Sequence, residues 1–476
     1  TGAAPSPKLQ KVKDGASKLG TLVQKAQKKG EDKADKAAGN NEPDSGQPVK
    51  LSSALALSFN DHGASARIAD GAKVEVGGDL VVNAQVKSEG IRNIAESKVT
   101  TQAKKREGDG LVTGSAAIAI GIFRHDAQAI VGEGAELAAE RIGVNASSEL
   151  PLTVTVFDKW DTEAELLDNL AANLSVPNPA RQIFTSHANA TGQAEEFGFA
   201  GALSYFESEN SARAWIGDGA KLASRADGGA WSSELDGDFR VDWQDAVSVQ
   251  ASTVSESINV AGNYQLLGLG GTGGGKEAAS VGGAFNWVNY SNTAEAGIGA
   301  GAVVSADGVV VDAHSRDWFL TLSPSAGKGT SIAGNGIFAL NQIDNRTHAS
   351  ISHDATIEAR RLGLDAYQEL AVWSFGGALA QGEAVSAAAA IAANDVRTDT
   401  RAFIGDNAAG PDEEPAREGS GSVSADLVRV EAITDGQVVS IAVAGAVTSS
   451  SEPKPKADGE SDGGFIGKIK GLLSFK

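Results

Sequence analysis

The residues of this 476-residue chain best placed to do chemistry sit in one short phrase that recurs six times. It reads Ala66-Arg67-Ile68-Ala69-Asp70-Gly71-Ala72 at its first occurrence. Its clearest form is Ala214-Trp215-Ile216-Gly217-Asp218-Gly219-Ala220. The acids Asp70, Glu133, Asp218 and Asp406 occupy one position of this turn. Hard carboxylate oxygens in repeated turns are the donor type that Ca²⁺ selects, so these four are the candidate metal ligands and Ca²⁺ the one candidate cofactor. The Gly-Gly-x-Gly-x-Asp nonapeptide of calcium-binding β-rolls is absent, and a solvated turn is the simpler reading of the same acids.

Other strings fail on context. Gly268 to Gly273 matches a dinucleotide fingerprint, but no βαβ pattern surrounds it. Gly270 to Lys276 matches most of a phosphate-binding loop, yet Glu277 stands where Ser or Thr must hold Mg²⁺. His62, His125, His187, His314, His348 and His353 are spread over separate units, with no pair at metal spacing. His62 and His125 fall at equivalent polar stretches, which read as solvated corners. No Ser-His-Asp order or Gly-x-Ser-x-Gly elbow occurs. The seven tryptophans share no repeat phase, as a sugar-stacking face would require. No catalytic or cofactor-binding residue is assigned.

The elements that must position these residues follow from the repeat, which outranks any local motif. Equivalent Ile or Val residues stand at 68, 131, 216, 298, 351 and 404, separated by 63, 85, 82, 53 and 53 residues. Runs such as Leu55-Ala56-Leu57-Ser58-Phe59 alternate with period two and are bounded by Gly, Asp and Asn, as strands and turns are. Each unit reads as a strand, a polar corner such as Asn60-Asp61-His62, the Ala-x-Ala-x-Ile strand, its turn, and two short closing strands. Gly71, Gly134, Gly219 and Gly301 supply positive backbone angles at that turn, with Asp354 and Asn407 as substitutes. The expected fold is all-β, a parallel β-helix (β-solenoid) with short helical insertions and Lys-rich helical or disordered terminal spacers. At about 20 to 25 residues per coil it would have roughly 16 to 20 coils, forming a rod on the order of 80 to 100 Å long. Tandem β-sandwich domains are the alternative.

The expected organisation is a Lys-rich spacer and linker over 1–48 and six related units over 49–450. Insertions fall near 158–192, 255–278 and 406–421, the first with a helical leucine stripe between Asp161 and Leu174. Residues 451–476 read as a linker and the start of another spacer. The formal net charge of −20 argues against nucleic acid as a partner. No apolar run of about 18 residues occurs, so no transmembrane helix is expected. The chain has no Cys and no Met and starts at Thr1, so it is expected to be a piece of a longer product.

The phrase Ala-x-Ala-x-Ile-Gly-Asp-Gly-Ala, followed by Val-x-Val-x-Ala and interrupted by Lys-rich spacers, resembles giant exported repeat proteins of bacteria. It is similar in this to the leukotoxin-type filamentous adhesins and related autotransporter or two-partner-secreted proteins. That resemblance covers about residues 50 to 450 and implies export to the cell surface, a parallel β-helix and a role in adhesion. Its expected partners are neighbouring segments of the same long chain or like chains, and a host-cell or glycan ligand. The function expected is a non-catalytic structural or adhesive segment. The alternative is a β-helix enzyme acting on polysaccharide, marked by non-equivalent Asp, Glu, Lys and Arg piled at one phase of successive coils.

Overall fold

The computed structural model describes residues 49–88, 91–99, 112–152, 184–194, 197–226, 246–263, 272–274, 279–405 and 421–448. The expected spacers, the leucine stripe at 161–174 and the loop over 406–420 lie outside these residues. Each of the six units contributes one 20-residue strand, a tight turn and a returning strand or set of strands. The first holds β1 (Val49–Ile68), β2 (Lys73–Glu75), β3 (Leu80–Lys87) and β4 (Asn93–Val99). The second holds β5 (Val112–Val131), β6 (Glu136–Ala139), β7 (Ile142–Leu150) and β8 (Ser186–Ala194). Next come β9 (Phe197–Ile216), β10 (Lys221–Ser224), β11 (Val247–Gly262) and β12 (Thr272–Gly274). The last three units are β13 (Ala279–Ile298) with β14 (Val303–Lys328), β15 (Ile332–Ile351) with β16 (Thr356–Gly382), and β17 (Val385–Ile404) with β18 (Ser422–Ser424) and β19 (Leu427–Thr448).

The long first strands form one parallel sheet in the order β1-β5-β9-β13-β15-β17, here sheet one. Its register is that of the sequence repeat: Ile68, Val131, Ile216, Ile298, Ile351 and Ile404 lie in one row. The returning strands form a second parallel sheet, sheet two, in which β14 pairs with both β11 and β16, and β16 with β19. Along β9 every second residue faces inward, as a period of two dictates. Near the turns the inward residues of sheet one, such as Ala129, Val131, Ile216 and Ile298, pack against Leu137, Val144, Val249 and Val311 of sheet two.

The turns have the backbone that their residues suggest. Gly71, Gly134, Gly219 and Gly301 lie at φ of 66°, 60°, 66° and 64°, and Asp354 takes the same left-handed conformation at 57°. Asp is one of the few side-chain-bearing residues that visits this region readily.

Two expectations are corrected. The repeat is not a short coil among many: one 53-residue unit makes one full circuit of both sheets. Six units at about 4.8 Å therefore stack to roughly 29 Å, while each long strand runs about 65 Å. The stretches Asn60-Asp61-His62 and Arg124-His125-Asp126 are not corners either. They lie in the middle of β1 and β5 and pair in register. Every ladder among the described strands is parallel, which does not match the antiparallel sheets of tandem sandwiches.

Candidate functional site

Two of the four turn acids, Asp70 and Asp218, bond the neighbouring unit. Asp70 Oδ1 accepts the backbone N–H of Glu133 at 3.1 Å and the guanidinium of Arg67 at 2.7 Å. Those two bonds, that of Arg67 first, hold its carboxyl below the ordinary range. Asp218 Oδ1 accepts the N–H of Ala300 at 2.9 Å. A side chain at Gly132 or Gly299 would collide with these same carboxylates, which explains glycine there. Asp406 lies outside the described residues. Among those described, no group of three or more His, Asp or Glu is placed to hold a metal ion.

The histidines serve different surroundings. His62 and His125 are register neighbours with ring centroids 5.7 Å apart, and His125 is buried. His187 is buried 3.4 Å from Glu96. His314 packs edge-on against Tyr367, and burial pushes its pKa down to about 4. His348 sits 3.1 Å from Asp399, and the backbone carbonyl of His353 accepts from Gly301. The tryptophans are equally dispersed. Trp215 lies under the Arg213 guanidinium, 4.8 Å from its ring centre, and Trp287 faces out beside Tyr205. Trp318 and Trp373 flank the cluster of Phe184 and Leu320, while Trp160, Trp231 and Trp243 fall outside the described residues.

A buried polar layer at mid-strand was missed by sequence reasoning. His125, Asn210, Asn292 and Asn345 stack in one inward row. His125 Nδ1 donates to Asn210 Oδ1 at 2.9 Å, and Asn210 Nδ2 donates to Asn292 Oδ1 at 3.0 Å. Asn292 Nδ2 donates to Asn345 Oδ1 at 3.1 Å. Opposite them on β14, Asp317 accepts from Asn292 (2.9 Å), Ser315 (3.0 Å), Asn345 (2.7 Å) and Gln368 (2.9 Å). Burial nevertheless raises the Asp317 carboxyl to about 7. A signal for this layer was available: each of its sheet-one members stands six residues before the repeated Ile or Val.

Sheet two carries three carboxylates in one row of its outer face, next to an amide. Gln250, Asp312, Asp365 and Glu431 are successive register partners. Burial, with the Asp365 charge beside it, holds Asp312 at about 7. Arg429 lies 3.6 Å from Asp365 and also bonds Glu431.

The outer face of sheet one divides in two. Beyond mid-strand its rows are charged and polar, as in Asp61, Arg124, Glu209, Ser291, Asp344 and Arg397. Before mid-strand they are apolar. One row reads Leu55, Ile118, Leu203, Phe285, Phe338 and Ile391, and the next Leu57, Ile120, Tyr205, Trp287, Leu340 and Ala393. Phe199, Phe285 and Trp287 are 46%, 37% and 36% exposed. The side chains facing inward behind these rows are mostly small, such as Ala117, Ala119, Ala200 and Ala202.

No protein-family model, no curated protein and no solved structure matches the chain. No described helix is long and apolar enough to cross a membrane.

Proposed function

We propose that this chain is a stretch of parallel β-solenoid acting as a non-catalytic structural and adhesive segment of a giant bacterial cell-surface or extracellular filament. The observation that supports this most is the unbroken register of six units over 20 residues each. A body built this way lengthens by adding units without redesign, because each added strand meets the same ladder. Among the described strands, β1 and β17 each have one partner in sheet one, so the stack presents an unpaired edge at either end. Unpaired edges suit continuation by neighbouring segments. The test is protease shaving of intact source cells followed by detection with an antibody to residues 49–448. Loss of the surface-exposed antigen is expected, and an antigen protected until lysis would end the proposal.

One observation favours a second reading, a polysaccharide-active enzyme. Asp312 and Asp365 are adjacent acids on an outer face, and burial raises the Asp312 carboxyl to about 7. General-acid chemistry on glycosidic bonds uses such a raised carboxyl. It ranks second because Arg429 already engages both Asp365 and Glu431. Release of reducing ends from a polysaccharide panel, abolished in Asp312→Asn, would promote it over the first.

A further inference from the structure

We propose that the apolar half of the outer face of sheet one docks on the same face of a second copy of this chain, the two sheets stacked about a two-fold axis parallel to the strands. A contiguous exposed apolar patch larger than an ordinary monomer carries marks an interaction surface. Counting the four rows that start at Leu51, Ser53, Leu55 and Leu57, no position carries a charge on any of the six strands. Six strands at about 4.8 Å and seven to nine residues at about 3.3 Å give on the order of 700 to 900 Å². The largest patch on an ordinary monomer is roughly 300 to 600 Å². A stable pair needs about 800 Å² from each partner, which this face supplies.

The chemistry of the face selects its occupant. The Tyr205 hydroxyl already bonds Glu207, and the Trp287 indole N–H donates to Gln342 Oε1 at 2.9 Å. The aromatic strip therefore has few polar groups left to recognise a sugar or a phosphate. A chain of net charge −20 is repelled by anionic lipid. The terminal segment Phe465 to Lys476, even as a helix, would be only about 18 Å long and would cover a minor part of the face. The segments outside the described residues at 153–183 and 227–245 begin and end in sheet two.

The charged border supplies the register for a second copy. A two-fold along the strands sets β1 opposite β17, β5 opposite β15 and β9 opposite β13. In the row next to the apolar ones Phe59 then comes opposite Asp395 and Glu207 opposite Asn289. One row further Asp61 meets Arg397, and Arg124, itself 2.9 Å from Glu209 of its own chain, meets Asp344, each pair occurring twice. In the following row Asp126 meets Arg346. In the apolar rows Tyr205 meets Trp287, and Leu203 meets Phe285. Aligned sheet-on-sheet packing of this kind brings inner faces about 10 Å apart.

Sedimentation velocity on the full chain tests the pairing. Wild type should associate to a dimer with rising concentration. Phe199→Lys/Phe285→Lys, at two exposed positions, should weaken association at least about tenfold while circular dichroism and melting stay unchanged. Arg124→Asp should weaken it less, and adding Asp344→Arg should restore it. A monomeric wild type overturns the proposal, whether a terminal segment of the same chain or a neutral phosphatidylcholine vesicle proves to cover the face. So does a dimer indifferent to the double lysine variant. Failure of the charge swap to restore association overturns the two-fold arrangement.

Discussion

The two halves of sheet one are built from the same strands, yet they solve opposite problems. Toward the turns, Ala, Ile and Val point inward and interlock with Leu137, Val249 and Leu364, while Asp, Arg and Glu meet solvent. Toward the strand starts the pattern inverts: alanine and small polar residues line the inside, and Leu, Phe, Ile and Trp point out. Alternation of period two is satisfied equally well by either arrangement, so the strand does not register the change. What differs is which side must be dry. The buried layer of His125, Asn210, Asn292, Asn345 and Asp317 marks the boundary between the two regimes.

Breaking that boundary should have the largest effect. Asp317→Ala leaves four buried neutral donors without their acceptor, each costing about 1–3 kcal/mol, and we expect a loss of at least about 3 kcal/mol in urea-induced unfolding. A loss under about 1 kcal/mol would mean the layer is not a network. Next, Ile298→Ala in the turn-proximal half opens a cavity and should cost about 2–5 kcal/mol.

The boundary should also be visible in pH. The folded chain binds the Asp317 proton more tightly than the unfolded chain, with a carboxyl held at about 7 against an ordinary 3.8. Its contribution to stability therefore falls as pH rises from about 4 to about 7, then stays flat. Asp317→Asn should remove that slope, at most about 1.4 kcal/mol per pH unit. Asp312, held at a similar value, retains its own share. Unfolding midpoints of the two proteins that run parallel across this range would contradict the assignment.

At the turn, Gly219→Ala forces a side chain into φ of 66° and should cost about 1–2 kcal/mol, read as a lower melting temperature. The smallest effect belongs to the inverted half. Phe285→Ser, measured on the single chain at high dilution, should change stability by under about 1 kcal/mol, because its ring is already partly in water. Equal costs for Phe285→Ser and Ile298→Ala would erase the distinction between the halves.

Much of the fold was legible. Gly71, Gly134, Gly219 and Gly301 announced left-handed turns because few other residues tolerate that conformation, and the Ile and Val spacing announced the register. The coil size was not legible, since a 20-residue strand and two shorter ones joined at a corner share one alternation. That ambiguity put His125 on a solvated corner, when it belongs to a buried row. The outer apolar face was read as ordinary strand material for the same reason.

What the sequence determined by itself was the all-β character, the number of units, the turn and the alignment of each unit on the next. These are local or periodic properties, written in residue size, backbone permissiveness and spacing. Only the tertiary structure decided which side of each strand faces the other sheet. It alone brought Asp317 to the asparagines, Asp312 to Asp365, and Phe285 to Phe338. Those meetings depend on which residues stand in the same row of neighbouring units or face one another across the two sheets. No window along one strand contains them.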